Sequence, residues 1–321
     1  MAKELIWSYL IHLSEHMWAD ASSRPGGNYL KAPYCENNNV DVAIWDETVK
    51  FLAECKFTHL LIDVGDAVKY ETHPEISAPN AWDKDFLKKK LDEIRALGIT
   101  PIPKLNFSTC HDTWLKKYSR MVSTPEYYKA CSNVIGELAE LFGNPELFHL
   151  GFDEEIAKYQ TNYEMSITRG RDLWWHDLGF FAKECEKHGA RPWIWSDYYW
   201  HHKELFIKNM SKDILQSNWF YQIIKDYTDE QIKNDFELAA PRAYLELDEL
   251  GFDQVPTSST WLRTKNTYQT VALGKDKLSP ERLKGFMTAP WVFTHDSEKY
   301  RLKDDAYRLY CARREFYPET L

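Results

Sequence analysis

The stretch FHLGFDEE, residues 148–155, ends a hydrophobic run on three carboxylates. A short apolar run of this kind, followed by polar residues, is typical of a buried strand. Acids at a strand end can cap a loop in water, or they can form an acid/base pair at the mouth of a pocket. Asp153 and Glu154 are adjacent in the chain, which makes them the first candidates for catalysis.

Polar and aromatic side chains also follow most of the other apolar runs. Each of them alone is more often structural than functional, but their repetition favours a polar cleft with aromatic walls. Aromatic residues make up 15% of the chain, and flat rings with a polar edge suit the faces of sugars. We therefore predict a carbohydrate substrate. The predicted substrate contacts are Glu15, His111, His149, Trp195, Asp197, Trp219, Tyr221 and Trp291.

Two kinds of chemistry fit such a cleft. Cleavage of a glycosidic bond needs a carboxylic acid at the leaving oxygen and support for an oxocarbenium-like transition state. Metal chemistry is the alternative, because histidines accompany the acids. No HxH, HExxH or comparable ligand spacing occurs, so metal is the weaker interpretation, and we predict neither a metal nor a cofactor. The histidines concerned are His12, His16, His111, His149 and His295.

The elements that would position these residues alternate along the whole chain. Strands are predicted at 5–13, 58–64, 99–107, 147–152, 191–196, 214–220, 255–260 and 286–293, with helical patterns between them. Helices are predicted over 82–97, 124–142, 169–188 and 297–316, with further helix starts at Thr228 and Ser279. This alternation predicts a (β/α)8 TIM barrel, with residues 1–321 as a single catalytic domain. An open doubly wound sheet is disfavoured, because no Gly-rich phosphate loop follows an early strand.

Composition narrows the classes of partner. The net charge of −9 and the pI near 5.7 argue against a nucleic-acid partner, whose phosphates require clustered Lys and Arg. No apolar run is long enough to cross a membrane, and no signal-peptide pattern opens the chain, so we expect a cytoplasmic protein without a membrane partner. The six cysteines are scattered, which predicts free, mostly buried thiols. The oligomeric state stays open.

His149-Leu150-Gly151-Phe152-Asp153-Glu154 resembles the His-x-Gly-Gly-Asp-Glu signature of family 20 glycoside hydrolases, the β-N-acetylhexosaminidases. Weaker similarity lies in Trp193-Ile-Trp195-Ser-Asp197, and in Trp219, Tyr221 and Trp291, since this family lines its sugar pocket with tryptophans. The resemblance implies that Glu154 is the general acid/base. It implies that Asp153 orients the 2-acetamido group, whose oxygen attacks the anomeric carbon in a retaining, substrate-assisted reaction. The absence of a glutamate from the predicted seventh strand agrees, since this route needs no protein nucleophile.

The chain departs from that signature at several positions. Phe152 stands where the family has its second glycine, and Glu155 adds a third carboxylate. An Asp-x-Glu arrangement with Glu155 as the acid, as in family 18 chitinases, therefore stays open. The first strand lacks the family's sugar-clamping arginine, for which Arg24 is a candidate substitute. Two other functions also stay open: a metal-dependent TIM-barrel hydrolase or isomerase, and a non-catalytic carbohydrate-binding barrel.

Overall fold

Eight parallel strands form one sheet in the computed structural model, which describes residues 5–18, 34–161 and 163–321. Their order is β6-β5-β4-β3-β2-β1-β8-β7, and isolated parallel bridges from Gln216 to Gln254 and from Trp219 to Thr257 join the two edges. The predicted (β/α)8 barrel is confirmed. The strands are β1 (Ile6–His12), β2 (His59–Asp63), β3 (Thr100–Lys104), β4 (Leu147–His149), β5 (Arg191–Trp195), β6 (Leu215–Ser217), β7 (Thr257–Ser258) and β8 (Gly285–Thr288).

Helices follow the strands and cover the outside of the barrel. They are α1 (Val42–Glu54), α2 (Lys84–Ala96), α3 (Pro125–Leu141), α4 (Asp172–Lys187), α5 (Tyr198–His201), α6 (Lys203–Asn209), α7 (Asp229–Asn234), α8 (Ala240–Glu249), α9 (Asn266–Lys277) and α10 (Lys299–Phe316). Two of these helices begin at N-cap residues that the sequence predicts. The Thr124 hydroxyl accepts from the backbone N–H of Tyr127 ahead of Pro125, and Thr228 forms a capping box with Gln231. Both predicted starts are confirmed.

The helix start predicted at Ser279 is wrong. Residues 279–282 form a turn that leads directly into β8. The hydroxyl and the backbone N–H of Ser279 both donate to Oδ1 of Asp248, so this serine ties the turn to α8 and caps no helix.

Apolar side chains fill the barrel on both sides of the sheet. One cluster lies inside the barrel and includes Leu10, Leu61, Ile102, Trp193, Leu215 and Met287. The larger cluster lies between the strands and the helices, as the alternation of a parallel barrel requires. The interior also holds a buried ion pair between Lys104 and Asp63.

Two simpler predictions concern cysteines and membranes. All six cysteines are free thiols, as predicted; Cys35 and Cys311 are partly exposed and the other four are buried. Within the described residues, no helix combines the length and the apolarity that a membrane span requires.

Candidate active site

A cavity of about 260 Å³ opens at the carboxyl ends of the strands, where barrels carry their catalytic groups. Its walls are mostly aromatic and its polar groups are mostly carboxylates. The described residues that line it are Trp18, His111, Asp153, Glu154, Tyr159, Trp195, Trp200, Trp219, Phe220, Tyr221, Gln222, Glu237, Trp261, Leu262 and Trp291. This set contains both candidate catalytic acids and five of the eight predicted substrate contacts.

The two candidate acids share one histidine on the cavity floor. Nε2 of His111 lies 3.3 Å from Oδ2 of Asp153 and 3.3 Å from Oε2 of Glu154. Nδ2 of Asn106 donates to the other oxygen of Asp153 over 2.8 Å. Asp153 is therefore held from two sides by residues that follow β3, whereas Glu154 keeps a carboxyl oxygen open to the cavity.

A tight turn after β4 directs these side chains. The strand ends at His149, short of the predicted 147–152, because Gly151, Phe152 and Glu154 adopt left-handed backbone angles, with φ of 73°, 69° and 54°. A Cβ at position 151 would lie 1.9 Å from Oδ1 of Asn106, so glycine is required there. The backbone N–H of Glu154 donates to Oδ2 of Asp197 over 2.8 Å, which fixes the turn to the loop after β5.

The charged groups on the cavity floor have shifted pKa values, which determine their protonation at neutral pH. Burial raises the pKa of Asp153, but the charges of His111 and Lys104 and the hydrogen bonds from His111 and Asn106 outweigh it and bring that pKa below its usual value. Burial lowers the pKa of His111, but Asp153 and Glu154 outweigh it and raise that pKa to about 9. At neutral pH, Asp153 is ionised and His111 carries a proton.

Asp197 supports the floor from behind the cavity wall. Its Oδ1 accepts from Nε1 of Trp219 over 3.3 Å, and its other oxygen accepts from the Glu154 backbone. Burial and the charge of Asp153 raise the pKa of Asp197 to about 8. Asp197 was predicted to contact substrate; it lies outside the cavity lining and instead holds a lining tryptophan and the turn after β4 in place.

Aromatic rings form the walls that the sequence predicted. Trp219 stacks on Tyr221 with ring centroids 5.1 Å apart, and Trp291 lies 5.9 Å from Trp195 and 6.1 Å from Tyr221. Nε1 of Trp195 is buried and has no hydrogen-bond partner in the part of the chain that the structure describes.

Two further predicted contacts, like Asp197, lie away from the cavity lining. His149 is fully buried under the floor, where its Nδ1 accepts from the backbone N–H of Gly151 and its ring packs 4.6 Å from that of Trp195. Glu15 pairs with Nε2 of His295 over 2.5 Å and accepts from Asn39. Arg24, the candidate sugar clamp, lies outside the described residues.

Phe152 points away from the cavity. Its ring is buried against Trp174 and Phe181 of α4 at centroid distances of 5.4 and 5.6 Å, and the guanidinium of Arg169 covers it at 4.7 Å. The residue in place of the family's second glycine therefore fills the layer between barrel and helices. It leaves the volume above the two acids free.

The side chain of Glu155 forms a buried ion pair. Its two oxygens accept from the guanidinium of Arg169 at 3.0 and 2.6 Å and from the backbone N–H of the same residue at 2.8 Å. Arg169 also pairs with Asp177 over 3.2 Å. Because Glu155 faces this arginine and does not line the cavity, its geometry disfavours the interpretation in which Glu155 is the acid.

Replacing Arg169 by Met is expected to destabilise the fold by about 3–5 kcal/mol, because it leaves two buried carboxylates without their cation. Glu155 and Asp177 are 4% and 0% exposed at their side chains. Chemical denaturation of the variant would measure the loss. Arg171→Met is the matched control, since Arg171 is exposed. Equal stability of the two variants would contradict the structural role assigned to Glu155.

Several lining residues were absent from the predicted site. Trp18, Trp200 and Trp261 follow predicted strand ends, so their position was a usable signal that the prediction did not take up. Tyr159 and Glu237 come from short 3-10 turns, Ala157–Gln160 and Phe236–Ala239, far from each other in sequence. No motif or spacing in the sequence marks that pair.

His111, Asp153 and Glu154 also form a candidate cation site. One ligand atom from each lies within 4.8 Å of the others, and imidazole with two carboxylates suits several divalent metals. The proton on His111 competes with a cation, because a metal ligand must be deprotonated. Metal binding there would release the proton of His111, so occupancy of the site would rise with pH.

No protein-family model matches the sequence, and no curated protein matches it. Several solved structures do match the fold of this chain. A chitobiase from Flavobacterium johnsoniae aligns with a TM-score of 0.65 at 15% identity, over 98% of this chain and 51% of that one. The fold is that of the family 20 barrel. An exo β-N-acetylglucosaminidase of that family from Vibrio harveyi aligns with a TM-score of 0.62 at 14% identity, over 99% of this chain and 57% of its own.

This chain spans only a little more than half the length of those two proteins. A third similar structure, Dispersin B, is matched along nearly its whole length, with 96% of this chain and 99% of that one covered at 12% identity and a TM-score of 0.58. At such identities the likeness establishes the fold, and the chemistry of the site is argued from the residues of this chain.

Proposed function

We propose that the chain is a glycoside hydrolase that cleaves β-linked N-acetylhexosaminides with retention of configuration. Glu154 is the general acid and then the general base. Asp153 orients the 2-acetamido group, and the oxygen of that group attacks the anomeric carbon. The single observation that carries the proposal is that these two acids flank one histidine on the floor of an aromatic cavity, each 3.3 Å from its Nε2.

The charge states of the floor support these roles. An ionised Asp153 can accept the amide N–H of the substrate and stabilise the positive charge that develops as the amide oxygen forms a ring with the anomeric carbon. Glu154 lines the open cavity, where it can reach a glycosidic oxygen. His111 keeps the two carboxylates at a short separation by placing a cation between them.

Several features of the environment agree with a sugar ligand. Tryptophan rings line the cavity and offer apolar faces to a sugar. The similar solved structures are a chitobiase, an N-acetylglucosaminidase and Dispersin B.

A single catalytic domain over residues 1–321 and a cytoplasmic location remain predictions.

The test is a screen of aryl β-glycosides of N-acetylglucosamine, N-acetylgalactosamine, glucose and galactose, each assayed with and without a chelator. Activity confined to the N-acetyl sugars, retained with chelator and inhibited by a thiazoline mimic of the cyclised intermediate, is expected. Activity on glucose or galactose alone would exclude substrate assistance, because those sugars lack the attacking amide.

Two alternatives have different outcomes in the same screen. A metal-dependent hydrolase at His111, Asp153 and Glu154 would lose activity with chelator and regain it with a divalent cation. A non-catalytic sugar-binding barrel would bind N-acetyl sugars saturably in calorimetry and release no aryl alcohol from any glycoside.

A further inference from the structure

Two short turns that are distant in sequence meet at the cavity rim. The 3-10 turn Ala157–Gln160 follows β4, and the turn Phe236–Ala239 lies between α7 and α8. Oη of Tyr159 donates to Oε1 of Glu237 over 3.2 Å, and both side chains line the cavity. Glu237 is therefore part of the cavity, although it is 78 residues from Tyr159 in sequence and absent from the predicted site.

The carboxylate of Glu237 has no ion-pair partner among the described residues. Its one side-chain hydrogen bond comes from a neutral phenol, which leaves its second oxygen available. The positive charge of Lys158 acts on Glu237 without forming an ion pair with it, and Nζ of Lys158 lies over the rings of Tyr159 and Phe236, at 4.7 and 4.6 Å. Lys158 is absent from the cavity lining.

The residues that line the cavity carry a net negative charge. Asp153, Glu154 and Glu237 line it, His111 supplies the one opposing charge, and the described lining contains no Lys or Arg. Such a site attracts cationic groups and repels anionic ones, and the effect is strongest where a carboxylate keeps an open oxygen. Glu237 meets that condition at the rim.

The depth of the acids divides the cavity into two parts. Asp153 is 8% exposed on the floor, whereas Glu237 is exposed at the rim. A sugar whose acetamido group reaches Asp153 and whose glycosidic oxygen reaches Glu154 extends its leaving group toward the opening. Glu237 is then positioned to contact the leaving group and not the N-acetyl sugar.

We propose that Glu237 is a specificity-determining residue that selects N-acetylhexosaminides whose leaving group carries a protonated amine. Tyr159 holds the carboxylate in place, and the unpaired oxygen accepts from the ammonium. Leaving groups that carry a carboxylate, sulfate or phosphate are disfavoured by the same charge. This inference rests on the proposed function and specifies the substrate class of the same site.

The experiment compares three β-N-acetylhexosaminides with matched aryl leaving groups: 4-(aminomethyl)phenyl, 4-(hydroxymethyl)phenyl and 4-(carboxymethyl)phenyl. The methylene group insulates the phenol, so the three differ mainly in charge. We expect kcat/KM of the native protein to fall by about two- to five-fold from amine to alcohol and again from alcohol to acid, the range for one partly exposed charge pair. Higher ionic strength should narrow both ratios.

Glu237→Gln removes the charge and keeps the shape. In this variant the ratios of kcat/KM should approach one, whereas Glu249→Gln, the same change at an exposed glutamate of α8 away from the cavity, should keep the native ratios. Native ratios near one, or ratios unchanged in Glu237→Gln, would overturn the inference while leaving the proposed function intact. If the native protein cleaves none of the three, the proposed function fails, and this inference fails with it.

Discussion

Replacing Glu154 by Gln is expected to lower kcat on alkyl β-N-acetylhexosaminides by about 10²–10⁴-fold, the contribution of a positioned general acid. The amide keeps the size of the side chain but supplies no proton to the leaving oxygen. Activated aryl glycosides depart without full protonation, so the loss of kcat should be smaller for them. Steady-state kinetics over leaving groups of graded pKa would measure both effects.

The control for this variant is Glu249→Gln, which changes the same charge at an exposed position. Binding of the N-acetyl sugar should persist in Glu154→Gln, because the aromatic walls and Asp153 are untouched. A variant with native kcat on every glycoside that the native protein cleaves would show that Glu154 is not the acid.

Replacing Asp153 by Asn is expected to lower kcat/KM on N-acetyl substrates by about 10²–10³-fold, the loss typical of one preorganised electrostatic contact to the transition state. Asn is isosteric but cannot balance the positive charge of the cyclised intermediate. Affinity for a thiazoline mimic should fall by a similar factor, whereas affinity for the N-acetyl sugar itself should fall much less. Inhibition constants for the two ligands measure the difference.

The same variant has a spectroscopic signature. Asp153 and Glu154 together overcome the effect of burial and raise the pKa of His111 to about 9, so removing one negative charge should lower that pKa. An NMR titration of His111 would follow the change. Asp226→Asn, at an exposed position, is the matched control. An unchanged titration together with native kinetics would contradict the role assigned to Asp153.

Much of the architecture could be predicted from local sequence. Helix starts at Thr124 and Thr228 were correct because capping depends on residues within one turn of each other. The strand ends were predicted less well. The run 147–152 is mostly apolar, yet β4 stops at His149, because the chain turns with a left-handed angle at Gly151, where only glycine fits beside Asn106 of the loop after β3.

The site residues divide in the same way. The sequence by itself determined the barrel, the adjacent acids Asp153 and Glu154, and the aromatic character of the strand ends, since these follow from periodicity and from residue type. Only the tertiary structure decided which way Phe152 points, that Glu155 forms an ion pair with Arg169, and that Glu237 lines the cavity. Each of these depends on a partner brought close by the closed barrel, and a contact between residues distant in sequence leaves no periodic pattern along the chain.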